Sequence, residues 1–175
     1  MFINLTDVLT SENKVITVQP DVELSNVHVG GEEFTVRKSS PVGLTLTNIG
    51  KGEARIEGKA GFVLDMECDR CLKPTACSLA LDFSRDVYAP DKLATLPDEA
   101  EDQSFVEGYQ LNVEDLLRNE IIINWPTKVL CTPGCKGICR QCGQDLNAGT
   151  CSCDTFVPDP RMAVIKDIFG GNKEV

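Results

Sequence analysis

Eight of the nine cysteines of this 175-residue chain fall into four close pairs: Cys68 and Cys71, Cys131 and Cys135, Cys139 and Cys142, and Cys151 and Cys153. No other feature restricts the fold so strongly. Zinc bonds thiolate at about 2.3 Å, so two ligands of one tetrahedral ion need sulfurs only about 4 Å apart, a separation that a single tight turn provides. Gly143, directly after Cys142, suits a chain that turns back with positive φ and frees its amides to donate to thiolates. Pro133, Gly134 and Gly137 give Cys131 and Cys135 a similarly turn-prone setting.

Whether these thiols hold metal or each other depends on the compartment. Residues 1–13 contain Asp7 and Glu12 and lack the basic start and apolar run of a secretory signal. No stretch approaches the roughly 20 apolar residues of a membrane span. The chain is therefore expected in the cytoplasm, without membrane contact, where thiols stay reduced unless metal or catalysis claims them. Eight thiolates can hold two Zn2+ ions, or four can hold one while the rest stay reduced. The preferred partition is a local site of Cys139, Cys142, Cys151 and Cys153, with Cys68 and Cys71 joining Cys131 and Cys135 to tie two distant segments together. Cys77 is left over and reads as a small buried hydrophobe. Four thiolates also suit iron; knuckle glycines, and nothing that suggests electron transfer, favour structural zinc.

Residues 1–88 carry short β-type runs, among them Lys14–Val18, Glu33–Arg37, Val42–Thr47 and Glu53–Glu67, separated by Gly, Pro and Ser. The alternation resumes over Ala76–Tyr88, with Leu79, Leu81, Phe83 and Arg85 on one face, so a hairpin with CDRC at its tip is predicted. Residues 89–104 hold five acids, two prolines and one lysine without periodicity and are predicted to be an exposed, mobile loop. Asn112 is placed to cap a helix carrying Val113, Leu116, Leu117 and Ile121, ended near Asn124 by Pro126. Asp159 and Pro160 start a second helix that Gly170 and Gly171 stop. The expected class is α+β: an antiparallel β-rich N-terminal region with one central helix over residues 1–126, then a cysteine-rich zinc-knuckle tail with a C-terminal helix over residues 127–175.

Charge is divided unevenly. Residues 1–120 hold 11 basic against 22 acidic side chains, residues 121–175 hold 6 against 5, and no acid lies between Glu120 and Asp145. An acidic body excludes indiscriminate coating of nucleic acid, while Lys128, Lys136 and Arg140 in the cysteine-rich tail are candidate phosphate contacts as much as ordinary solvated charges. Trp125, the sole tryptophan, reads as a core plug before it reads as a stacking platform. His28, the one histidine, lies in strand alternation far from the cysteines and reads as a solvated strand residue. All-cysteine sites are closed, and no P-loop, GxGxxG or GxSxG is present, so no catalytic residue is assigned.

The segments CDRCLKP at 68–74, LCTPGCKGICRQCGQDLNAGTCSC at 130–153 and DPRMAVIKDI at 159–168 resemble, in this order, the bacterial YceD family of large ribosomal RNA subunit accumulation proteins. The resemblance implies a part in large-subunit rRNA accumulation and implies no reaction. The expected function is thus a non-enzymatic ribosome-biogenesis factor with structural zinc, whose partners are ribosomal RNA or a pre-large-subunit particle and/or a basic ribosomal protein. Two other classes are carried: a thiol-redox or metallo-enzyme using a CxxC pair, and an interaction module that shields a basic ribosomal protein.

Overall fold

The computed structural model of the protein describes residues 1–95 and 103–153. Two antiparallel sheets contribute to the main apolar core, and a smaller cluster of Leu64, Met66 and Val129 lies apart from it. The smaller sheet consists of β1 (Phe2–Asn4), β8 (Val106–Glu107) and β9 (Gln110–Asn112) in the order β1-β9-β8. The larger holds β2 (Val15–Val18), β3 (Asn26–Val29), β4 (Glu32–Ser39), β5 (Gly43–Gly50), β6 (Glu53–Glu67) and β7 (Pro74–Tyr88).

β6 organises the larger sheet. Its residues alternate strictly, turning Ala54, Ile56, Ala60, Phe62, Leu64 and Met66 into the core. β7 pairs with it along its whole length, from Glu53 opposite Tyr88 to Glu67 opposite Pro74. The other edge of β6 is shared: β5 pairs with residues 53–59 and β4 with residues 62–64. The predicted hairpin therefore forms, and the CDRC sequence sits at its tip.

Asn112 caps α3 (Val113–Ile123) by accepting from the Glu114 amide, and Glu114 and Asp115 occupy the first turn, where the helix dipole favours anions. Val113, Leu116, Leu117 and Ile121 are buried, together with Val8 and Leu9 of α1 (Thr6–Thr10) and Leu44, Leu46 and Ile56 of the larger sheet. Arg85 stands on the face with Leu81 and Phe83 because Glu120 of α3 meets it there, with Nε to Oε1 at 2.6 Å. Glu120 is fully buried, so this two-pronged pair satisfies a carboxylate that burial would otherwise penalise.

One expectation changes. The stretch predicted as a loop from residue 89 instead opens with a helical turn, α2 (Pro90–Leu93), where Pro90 presets φ at the first helical position and buried Ala89 anchors its start. Residues 96–102 of that stretch, and the helix predicted from Asp159, lie outside the described residues. No helix among the described residues is long and apolar enough to cross a membrane. Trp125 packs on the core, its ring 4.8 Å from that of Phe34. His28 is an exposed strand residue with Nε2 3.6 Å from Glu33.

Gly58 in the middle of β6 lies directly opposite Phe83, whose ring covers it so closely that a Cβ at 58 would overlap the ring. Gly58→Ala must therefore displace a buried aromatic. It is expected to destabilise the protein by about 1–3 kcal/mol, read as a lower denaturant midpoint, and Phe83→Leu in the same chain should recover part of the loss.

Candidate metal centres

At the hairpin tip, the chain leaves β6 at Glu67 and re-enters β7 at Pro74, with the Cys68 amide donating to Lys73 O at 3.0 Å and the Leu72 amide to Cys68 O at 2.8 Å. This turn points the Cys68 and Cys71 thiols the same way. The segment after α3 returns to meet it. Val129 packs with Leu64 and Met66, donates its amide to Asp69 Oδ2 at 2.6 Å, and accepts from the Asp69 amide at 2.9 Å. Cys131 and Cys135 follow, the latter fixed by its amide donating to Thr132 O and by Arg70 Nη1 donating to its carbonyl at 2.5 Å.

The four sulfurs of Cys68, Cys71, Cys131 and Cys135 all lie within 4.8 Å of one another, with Cys68 to Cys135 at 3.8 Å and Cys71 to Cys131 at 3.5 Å. A tetrahedron with metal–sulfur bonds of about 2.3 Å has edges of about 3.8 Å. This group can therefore hold one ion. Residues sixty or more positions apart in sequence supply it, two from the hairpin and two from the tail.

Cys139, Cys142, Cys151 and Cys153 form the second group, also within 4.8 Å of one another. Gly143 adopts φ 73°, and its amide donates to Cys139 O at 2.9 Å, the same turn that Leu72 makes after Cys71 with φ 59°. The Cys139 amide donates to Gln144 O, and Ile138 bridges Asp145, closing a small loop. The structure brings together the same two sets of four thiols as the preferred partition. Cys77 joins neither and packs beside Leu64 and Val129.

Around the sulfurs lie residues that spacing did not single out. Lys73 Nζ pairs with Asp145 Oδ2 at 2.6 Å, joining the first knuckle to the second. Asn147 accepts from the Lys136 amide at 2.7 Å and donates from Nδ2 to Cys135 Sγ at 3.5 Å. The Ile138 amide donates to Arg70 O at 3.1 Å, and Gly137, with φ 82°, comes so near that a Cβ there would stand 2.8 Å from that oxygen. The two groups thus share one supporting shell. Lys128, Lys136 and Arg140 are all exposed and join no ion pair among the described residues.

Crowding four thiols splits their titration. Burial pushes Cys68 up, but amides of Cys131, Arg70 and Cys71 donating to its sulfur outweigh this and hold it down to about 6. Cys139 is likewise held down to about 6, by the Cys142 and Gln141 amides first. Cys71 is pushed up to about 12: the Lys73 amide favours its thiolate, yet burial and the neighbouring Cys68, Cys131 and Cys135 sulfurs prevail. Cys153 is pushed up to about 12 by Cys142, burial and Cys139. One negative charge in each group suppresses the next, and a divalent cation removes that repulsion. Asp145 is held at about 2, first by Lys73 and then by Asn147.

Two outcomes are expected. In each group two thiols are held above the ordinary value, Cys71 and Cys131 in one, Cys151 and Cys153 in the other, so zinc added near neutral pH should release at least two protons per ion. Affinity should fall as pH falls, more steeply below about 6 once Cys68 and Cys139 also protonate, as pH-stat titration would measure. Gly137→Ala should strain φ and press on Arg70 O. Faster release of metal to a chelator, with the β core still folded by circular dichroism, is the expected reading.

A family model described as Large ribosomal RNA subunit accumulation protein YceD matches residues 56–169, from near the start of β6 through all eight paired cysteines. An uncharacterized protein of Mycobacterium bovis and one of Mycobacterium tuberculosis are each 25% identical to the chain over 150 residues, which covers 78% of this chain and 72% of theirs. No solved structure matches. With most of its length in the match, hairpin and both cysteine groups included, the chain belongs to the YceD family.

Proposed function

We propose that this protein is a non-enzymatic cytoplasmic factor in large-subunit ribosomal RNA accumulation, whose two cysteine groups each hold a structural zinc ion. The family description supports the ribosomal part. One observation carries the rest: each group offers four thiols within 4.8 Å of one another and no other ligand type among the described residues, a donor set that closes around an ion and keeps no position open for substrate. Zinc, when bound, neutralises the crowded thiolates and crosslinks the chain. The chain's own residues do the positioning: Asn147 and the knuckle amides orient the sulfurs, and Lys73 with Asp145 joins one knuckle to the other.

The partner on this reading is ribosomal RNA or a pre-large-subunit particle. Lys128, Lys136 and Arg140, exposed on the least acidic part of the chain, approach its phosphates. A CxxC dithiol enzyme is less well supported, because Cys68 is fully buried and Cys71 nearly so, and in the second CxxC Cys139 is buried and only Cys142 is exposed.

The deciding experiment joins metal content to RNA level. Elemental analysis should find two zinc ions per chain, falling to one in Cys68→Ser/Cys71→Ser. Deletion of the gene should lower large-subunit RNA relative to small-subunit RNA. Lys128→Glu/Lys136→Glu/Arg140→Glu should weaken binding to large-subunit precursors and flatten its salt dependence, each lost phosphate contact removing roughly 0.7–0.9 from the log–log slope. Unchanged RNA levels on deletion, together with no association with precursors at moderate salt, would reject the ribosomal assignment; rapidly reacting thiols in metal-loaded protein would reject the structural one.

A further inference from the structure

Beside the first cysteine group runs an open groove of about 1010 Å³, bounded by the start of β4, the end of β6, the hairpin tip and the segment after α3. Its floor is apolar: Met66 and Val129 are buried in it, and Phe34 and Trp125 pack beside them as a tilted pair with ring centroids 4.8 Å apart at 56°. Its rim is acidic. Glu32, Glu33, Asp65, Glu67 and Asp69 line it, and no lysine or arginine does. Asp65 is engaged by Arg37 at 2.6 Å, Glu33 accepts from Asn26 Nδ2 and lies near His28, and Asp69 accepts from the Val129 amide, while the Glu32 and Glu67 side chains join no ion pair or hydrogen bond among the described residues.

Leu72 supplies an independent sign. It lines the groove, keeps 59% of its surface exposed, and holds φ at +59° in the turn where Gly143 serves the second knuckle. A side chain gains nothing for the turn at such a position, since glycine makes it without strain. An exposed leucine in left-handed backbone at the lip of an apolar groove is a costly placement that a contact outside the chain would offset.

From the floor, the rim and this leucine we infer that the groove is a docking site for an extended basic protein segment. The segment's Lys or Arg side chains meet Glu32 and Glu67, and one apolar or aromatic side chain lies between Trp125 and Leu72. Nucleic acid does not fit, because the carboxylates of the rim, of which only Asp65 is paired with an arginine, repel phosphate where an RNA backbone would run. The floor gives an arginine stem or guanidinium an aromatic face, and the rim steers the approach of a cationic chain. This surface is distinct from Lys128, Lys136 and Arg140, so its occupancy does not depend on RNA contact through them.

Trp125, the only tryptophan, reports from inside the groove. Zinc-loaded full-length protein would be titrated, at moderate salt, with three synthetic peptides of equal length, alternating Arg–Leu, Arg–Ser and Glu–Leu, and with oligouridine. A saturable change in Trp125 emission with Arg–Leu, weaker with Arg–Ser and missing with Glu–Leu, is expected. Glu32→Gln/Glu67→Gln should weaken the Arg–Leu complex on the order of tenfold, and Leu72→Gly should weaken it while leaving thermal stability equal or higher. Metal content is measured for both variants; if Leu72→Gly alters it, Glu32→Gln alone, a residue remote in sequence from every paired cysteine, decides. The inference is overturned if Arg–Leu gives no saturable change, if Arg–Ser binds as tightly, if the carboxamide variant binds like the unmodified protein, or if oligouridine produces the same emission change.

Discussion

The pairing of β6 with β7 runs unbroken from Glu53 and Tyr88 at one end to Glu67 and Pro74 at the other. Because side chains alternate along it, one register simultaneously buries Ile56, Phe62, Leu81 and Phe83, brings Arg85 to Glu120, and delivers Cys68 and Cys71 to the tip. A slip by one residue would turn the apolar set outward and separate the arginine from the buried carboxylate. The core and the first cysteine group are therefore held by the same cross-strand hydrogen bonds, although they lie at different parts of the hairpin.

The chain after α3 meets that tip by packing first and by thiol chemistry second. Val129 settles against Leu64 and Met66, and the reciprocal bonds with Asp69 set its height, so Cys131 and Cys135 arrive opposite Cys68 and Cys71. Without a cation the assembled thiols oppose one another's ionisation, as the spread between Cys68 and Cys71 displays. Folding thus gathers a group whose charge distribution favours a divalent ion. The second knuckle is joined to the first through Lys73 and Asp145, Asn147, and the close pass of Gly137 over Arg70, so motion of one is resisted by the other.

Charge is arranged with comparable economy. The acidic excess of the first 120 residues is not spread evenly: one part pairs with Arg55, Lys59 and Arg37 across neighbouring strands, whereas the Glu32 and Glu67 carboxylates join no ion pair among the described residues and border an apolar floor. The basic residues of the tail sit on the cysteine-bearing segment instead. A molecule with both surfaces can face two partners of opposite charge.

Local patterns were legible where local physics governs them. Strict alternation marked β6 and β7, Asn112 ahead of Val113, Leu116 and Leu117 marked α3, and the turn geometry of CxxC marked thiols able to share an ion. The short strands β1, β8 and β9 were not legible, since two or three residues carry too little periodicity to register; α2 was hidden because acids and prolines around it read as loop. By itself the sequence determined that eight cysteines would come in pairs, that the body would be acidic and β-rich, and that one helix would be capped at Asn112. Only the tertiary structure decided that Cys68 and Cys71 face Cys131 and Cys135, that Asn147 and Lys73 stand in their shell, and that Glu32, Glu67 and Leu72 border one groove around Trp125. The reason is that pairing over some sixty residues of chain leaves no local trace: it follows from sheet register and from the apolar contact of Val129 with β6, which act through space.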